Sequence, residues 1–348
     1  MKFSCRIFLL LLLGFLSACS KEPLYQEQSF VFGTLVEVTV YGETGATAKQ
    51  AVANVMQEFQ RLHNLLHAWK PSALSSVNAA FAKGKTIAIT AEFEYILRDA
   101  AQLSAQSDGL FNPAIGGLVE LWGFHADEFK PALPHEKQLA ALVTKHPLMT
   151  DILLKSASDK ITAHSRNLAV KLDLGGYAKG YALDRAATML KHMGIQNALI
   201  NIGGNVLAMG KHGSRHWRVG IQHPRKPGPV ATLDLHNGEA IGTSGDYQRY
   251  FELGEKRYCH LIDPRNGQPA QGVQAVTVLT RGNRSGVLSD ATSKPLFIAG
   301  IDGWQAAARK MQLREAMLID ASGRVHLTAA MHKRLAFTDK SLLVTIIE

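Results

Sequence analysis

Cysteine is scarce in this chain, with three residues in 348, at positions 5, 19 and 259. Cys5 falls in the N-terminal leader described next, and Cys19 is read there as lipidated at the start of the mature chain. Cys259 is then the one candidate free thiol of the mature chain, and no intramolecular disulfide can form. Stability must come from the core, for which about 330 residues at 46% hydrophobic content are ample.

Long hydrophobic runs are missing as well. Lys2 and Arg6 precede an apolar run over residues 7–13, followed by Leu16-Ser17-Ala18-Cys19. The run falls far short of the roughly 20 residues that a bilayer core requires. A basic start, a short apolar stretch and small residues before a cysteine read as a lipoprotein signal peptide over residues 1–18, with Cys19 lipidated as the first mature residue. The body is then expected outside the cytoplasm, in the envelope and facing the periplasm. An uncleaved N-terminal anchor would give the same placement. Residues 19–29 are polar, contain Pro23 and read as a tether, which leaves 30–348 as the folded domain.

Clustered charge is the third absence. The formal net charge of +9 falls to +7 once Lys2 and Arg6 are removed, and no Lys/Arg-rich run carries interleaved aromatics. That pattern argues against a nucleic-acid binder, and the diffuse excess suits anionic ligands better. There is no internal repeat and no long low-complexity linker, so one compact unit with two lobes is expected.

What is present is a mixture of periods. Residues 30–41 read as β-branched strand interrupted at Gly33, and 47–67 repeat apolar positions at helical spacing. Further helical patterns cover 91–107, 136–145, 177–193 and 303–312. Strand-like runs lie near 168–174, 197–209, 216–222, 273–280, 315–320 and 342–347. The two kinds do not alternate strictly, which argues against a doubly wound sheet and for an α+β fold with mixed, largely antiparallel sheets.

Several glycine-rich segments could carry chemistry. Asp173-Leu174-Gly175-Gly176-Tyr177-Ala178-Lys179-Gly180 stands at a predicted strand-to-helix junction. Backbone N–H groups there can approach a phosphate, with a helix N-terminus and Lys179 adding positive charge. It is neither a dinucleotide-binding fingerprint nor a Walker loop. Asn201-Ile202-Gly203-Gly204-Asn205 and Gly242-Thr243-Ser244-Gly245-Asp246 repeat the theme, and each alone could be a hairpin turn. His260 precedes a turn-forming Asp263-Pro264-Arg265-Asn266-Gly267, where an imidazole could take a proton from a hydroxyl nucleophile. His63, His67, His135 and His236 show no pairing or ligand spacing and read as surface or packing residues. Phe111, Trp122 and Phe124 line a flat-ring pocket or the core.

Taken together and in order, these segments resemble the ApbE-like FAD:protein FMN transferases. The resemblance spans nearly the whole mature chain: Phe32-Gly33-Thr34, Leu74-Ser75-Ser76-Val77-Asn78, residues 108–124, 173–180 and 201–205, Thr243-Ser244-Gly245-Asp246-Tyr247, 260–267 and Asp290. It implies a flavin held between the lobes of an α+β fold and a divalent cation, magnesium, at the pyrophosphate. It also implies transfer of FMN from FAD to a Ser or Thr of an acceptor protein in an envelope redox complex, with release of AMP. By motif position, Phe32, Trp69, Leu110, Phe111, Asn112, Asp173, Lys179 and Ile262 fall at FAD-contact positions. Gly176, Asp290 and Ser293 fall at metal positions, and His260 falls at that of the general base.

Two departures stand out. Asn112 replaces the family's usual aspartate and keeps an acceptor oxygen. The metal loop reads Asp290-Ala291-Thr292-Ser293-Lys294, with a lysine where the family has a hydroxyl ligand. An ammonium has no lone pair for a metal, so either Lys294 points away or its charge partly substitutes for the cation. A flavin-binding lipoprotein without transfer, or hydrolysis of FAD to FMN and AMP, are the alternatives to the transferase, and retention of His260, Asp173 and Asp290 favours an enzyme.

Overall fold

A nine-stranded sheet organises the protein. In the computed structural model, which describes residues 23–126, 128–157 and 160–347, its strands lie in the order Leu24–Val31, Thr34–Tyr41, Ala198–Ile202, Asn205–Met209, Glu239–Gly245, Val273–Arg281, Glu315–Asp320, Val325–Thr328 and Val344–Ile347. Every neighbouring pair is antiparallel except the last, which is parallel. The expected α+β class with largely antiparallel sheets is what forms. Thr34–Tyr41 illustrates the cause: Val36, Val38 and Val40 alternate onto one face and are buried there.

The first two strands form a hairpin whose two turn residues, Phe32 and Gly33, both have positive φ, 57° and 71°. That geometry matches the twist of paired strands. Glycine adopts it freely, whereas a phenylalanine there costs roughly 1–2 kcal/mol. The first strand also takes in residues 24–29, expected as tether. Its outward positions, Leu24, Gln26, Gln28 and Phe30, are exposed, and strand pairing rather than an apolar face holds it to Thr34–Tyr41. Cys19 and the leader lie outside the described residues.

Helices Gly45–Leu65, Ala91–Gln106 and Ala178–His192 bury Val55, Phe59, Leu62, Phe93, Ile96, Leu183 and Leu190 in one core with Val36, Val38 and Ile200. A second cluster joins the three-stranded sheet containing Trp217–Gln222 and Pro229–Leu235 to Ile241, Leu279 and Ile319. Of the described helices, none is long and apolar enough to cross a membrane.

The element that most shapes the site runs over Ser285–Lys310, two helices joined across a kink at Gly300. Only its end, near 303–312, is expected from the sequence. Asp184 accepts from the N–H groups of Gly286 (2.7 Å) and Val287 (2.8 Å), fixing the N-terminus of this helix to Ala178–His192. The two backbones touch where Gly180 faces Gly286. A Cβ on Gly180 would stand 2.7 Å from Val287 Cα, 2.8 Å from Asp290 Cβ and nearer still to the Gly286 carbonyl. Gly180→Ala is therefore expected to cost about 1–3 kcal/mol through overpacking, read as a lowered urea midpoint. An unchanged midpoint would mean that the helices are free to separate.

The run at 168–174 does not become a strand. Its backbone is divided among unlike partners: Lys171 exchanges hydrogen bonds with Ala114 and Gly116, and Leu172 pairs through both N–H and carbonyl with the Asn78 side chain. A side-chain amide stands in for the neighbouring strand, which holds the following glycine loop in place.

Candidate active site

The loop at Asp173, Leu174, Gly175 and Gly176 leads into helix Ala178–His192. Asp173 Oδ1 accepts from Gly175 N at 2.8 Å, and Lys179 Nζ donates back to the Gly175 carbonyl at 3.2 Å. Opposite lies Asp290, fully buried on the long helix. Its Oδ2 accepts from Gly180 N at 3.0 Å, using one of the N–H groups that a helix N-terminus leaves without an intrahelical partner. Lys179 Nζ stands 3.8 Å from Asp290 Oδ1. Lys294, one turn further on, folds back to donate to the Asp290 main-chain oxygen at 2.6 Å and to its Oδ1. Lys294 thus does not point away. A Cβ on Gly176 would lie 3.2 Å from Lys294 Cε and 3.5 Å from the Phe111 ring, so the expected residues Phe111, Gly176, Lys179 and Asp290 are neighbours.

Electrostatics follow from this packing. Burial alone would raise the Asp290 carboxyl, but Lys179 and Lys294 outweigh it and hold the group below the usual carboxylate value. Burial pushes Lys294 down to about 8, against the pull of Asp290. Burial pushes Asp173 up, opposed by the Gly175 N–H and by Arg249, Lys179 and His67.

His260 follows strand Lys256–Cys259. Its main-chain N–H and its Nδ1 both meet the Arg249 carbonyl, at 3.0 and 3.2 Å. A carbonyl can only accept, so Nδ1 carries the proton and Nε2 keeps its lone pair. Burial, then the charges of Arg249, Lys179 and Lys294, push the imidazole down to about 3, and it is neutral across the physiological range. The expected turn after it is present: Gly267 N donates to the Asp263 carbonyl at 2.8 Å, and Trp122 Nε1 donates to the Gly267 carbonyl at 2.7 Å. Trp122 stacks on Tyr258 and Phe251, and Ile262 is buried in the same cluster. Cys259 is buried and its thiol is pushed up to about 12, so proximity to His260 does not activate it.

The remaining expected contacts surround this centre. Phe32 packs edge-on against Phe59 and His63, and His63 against His67, with ring centroids 5.1 Å apart. His63 and His67 are packing residues, as expected, but they pack on one another, which their spacing of four across the end of helix Gly45–Leu65 allows. Trp69 lies beside His125 and under Lys171 Nζ, 4.7 Å from its ring. Leu110 is half-buried. Asn112 uses its Nδ2 on the Pro147 carbonyl and its Oδ1 on Ala114 N, so it shapes its own loop.

Ser293 is not brought to the cation position. Its hydroxyl, fully buried, bonds the Asp290 carbonyl and Ser244 Oγ, each at 2.8 Å. Thr243 likewise turns inward to Thr277 at 2.9 Å, because residues 242–245 form part of a central strand rather than a hairpin turn. Arg249, which no motif marks, reaches Asp173 and His260 electrostatically and lies 3.9 Å from the Cβ position of Gly33.

A profile of the ApbE family matches residues 32–318. The chain is 42% identical over 313 residues to an FAD:protein FMN transferase of Rhodobacter capsulatus, a match that covers 90% of this chain but only 58% of that longer protein. It is 30% identical over 332 residues to the FAD:protein FMN transferase of Treponema pallidum, covering 90% of each. Its fold superposes on the apo form of the flavinyl transferase ApbE of Pseudomonas stutzeri with a TM-score of 0.77 at 26% identity, covering 91% of this chain and 98% of that one.

Proposed function

The chain belongs to the ApbE family, and from that premise we propose that it transfers the FMN half of FAD to a Ser or Thr hydroxyl of an acceptor protein. The acceptor oxygen attacks the FMN-side phosphorus, the bond from that phosphorus to the bridging oxygen breaks, and AMP leaves with that oxygen. The observation that carries the reading is His260: neutral, with Nδ1–H held on the Arg249 carbonyl and Nε2 able to take the hydroxyl proton. Lys179, Lys294 and Arg249 supply the positive field that an attacked pyrophosphate needs. An anion bound among them offsets the charges that press His260 down, which strengthens it as a base in the FAD complex.

Phe32, Trp69, Leu110, Phe111 and Ile262 are assigned to the flavin and adenine sides, Asp173 and Lys179 to the polar part of FAD, and Asn112 to shaping the loop that carries Phe111. Magnesium at Gly176, Asp290 and Ser293 fits these residues poorly. Asp290 Oδ1 is held by Lys294, its Oδ2 by Gly180 N–H, and the Ser293 hydroxyl is spent inside the fold.

The test is product balance: with FAD and candidate acceptors, AMP should form without matching free FMN. Equal free FMN and AMP would make the activity hydrolysis.

The acceptor is proposed to be a subunit of an envelope redox complex, reached by a body tethered through lipid on Cys19 and facing the periplasm. Cys19→Ala should abolish membrane association and leave the leader uncleaved, as read by fractionation and intact mass. Equal processing and equal membrane binding would refute the anchor.

A further inference from the structure

We propose that the Lys294 ammonium is the resident cation of the phosphate site, standing where a divalent ion would otherwise organise the pyrophosphate. This deepens the FAD reading above and rests on it.

A hard divalent cation is held by converging oxygen lone pairs, usually six or more including water. Here the oxygens are already taken. Asp290 Oδ1 and the Asp290 carbonyl accept from Lys294, Oδ2 accepts from Gly180 N–H, and the carbonyl also accepts from the Ser293 hydroxyl. The Ser293 oxygen in turn bonds Ser244. Among the described residues no group of three or more His, Cys, Asp or Glu could hold a metal ion.

The lysine, by contrast, is well accommodated. Its stem runs past Gly176, where a Cβ would stand 3.2 Å from Cε, so glycine at that position leaves the space the side chain fills. Two of the three ammonium donors are engaged by Asp290, which leaves one for a phosphate oxygen. With Lys179 alongside, the Asp290, Lys179 and Lys294 group keeps a net positive charge without any added ion. Asp290 then acts as a positioning residue, fixing the ammonium beside the glycine loop.

The experiment compares FAD affinity in EDTA and in saturating magnesium chloride, followed by flavin fluorescence, for the wild-type protein and for Lys294→Thr. Wild type should bind FAD equally, within about twofold, in both buffers, and Lys294→Thr should weaken at least about tenfold in EDTA and recover with magnesium, the scale of one charge-assisted hydrogen bond. Manganese(II) alone, followed by electron paramagnetic resonance, should bind Lys294→Thr and not wild type. A wild-type affinity raised tenfold or more by magnesium, roughly the weight of one such bond, overturns the inference and leaves the FAD reading standing. Folded wild type that binds no FAD in either buffer overturns both. If Lys294→Thr does not fold, the two wild-type titrations decide the matter.

Discussion

Replacing His260 with alanine is expected to slow FMN transfer at least ~100-fold, the usual scale for a lost acid–base group, and to leave FAD affinity within about threefold of wild type. The expectation follows from the tautomer: Nδ1–H is committed to the Arg249 carbonyl, so Nε2 is the nitrogen that can accept a proton. Single-turnover AMP release measures the rate and a fluorescence titration measures binding. An unchanged rate would remove His260 from the chemistry, and lost binding would assign it to the pocket. The same residue shapes acid stability. Its folded value, about 3, lies below the ordinary histidine value near 6.5. Between those values the unfolded chain takes up a proton that the folded protein refuses. The stability tied to this group is thus complete above about pH 6.5 and is lost as pH falls toward 3. His260→Ala should flatten that part of the acid-unfolding profile.

Asp290→Ala is expected to destabilise the fold by about 3–5 kcal/mol, because it leaves the largely buried Lys294 ammonium without its fully buried carboxylate partner. It also frees the Gly180 N–H and loosens the contact between the two helices that frame the glycine loop. Transfer should disappear with it. Chemical unfolding of the single variant and of Asp290→Ala/Lys294→Met separates the causes: removing both charges should recover much of the loss, since an apolar pair can replace a buried ion pair at little cost. A single-variant loss below about 1 kcal/mol would mean that the pair is open to solvent, as surface pairs of that worth are.

How far the sequence revealed this architecture varies by element, for physical reasons. Helix Glu136–Lys145 and strand Glu315–Asp320 sit where their periods placed them. The Gly203-Gly204 turn lies within the run at 197–209 because both glycines take positive φ, as a tight hairpin demands. The first half of Ser285–Lys310 was hidden. It is buried on several sides, from Val287 and Asp290 to Phe297, so it shows no polar stripe, and Pro295 and Gly300 interrupt it. The segment at 168–174 misled in the other direction, since the main-chain groups of Lys171 and Leu172 are satisfied by Ala114, Gly116 and the Asn78 side chain rather than by a neighbouring strand.

The site was legible in its parts and not in its wiring. His260, Asp173, Lys179 and Asp290 are carried by motifs, and the resemblance named them in order. Lys294 returns onto Asp290 through the i,i+4 spacing of a helix that shows no amphipathic period, Ser293 turns inward to Ser244 on a central strand, and Arg249 approaches His260 because strands Tyr250–Leu253 and Lys256–Cys259 pair. The last two depend on tertiary pairing that no local pattern encodes.

The most direct test of the central claim is intact-mass spectrometry of an acceptor protein after incubation with FAD and this enzyme. The account predicts a gain of one FMN less one water, lost again when the acceptor's target Ser or Thr is replaced by alanine and strongly reduced with His260→Ala. An acceptor of unchanged mass, while FAD is consumed to free FMN and AMP, would contradict it.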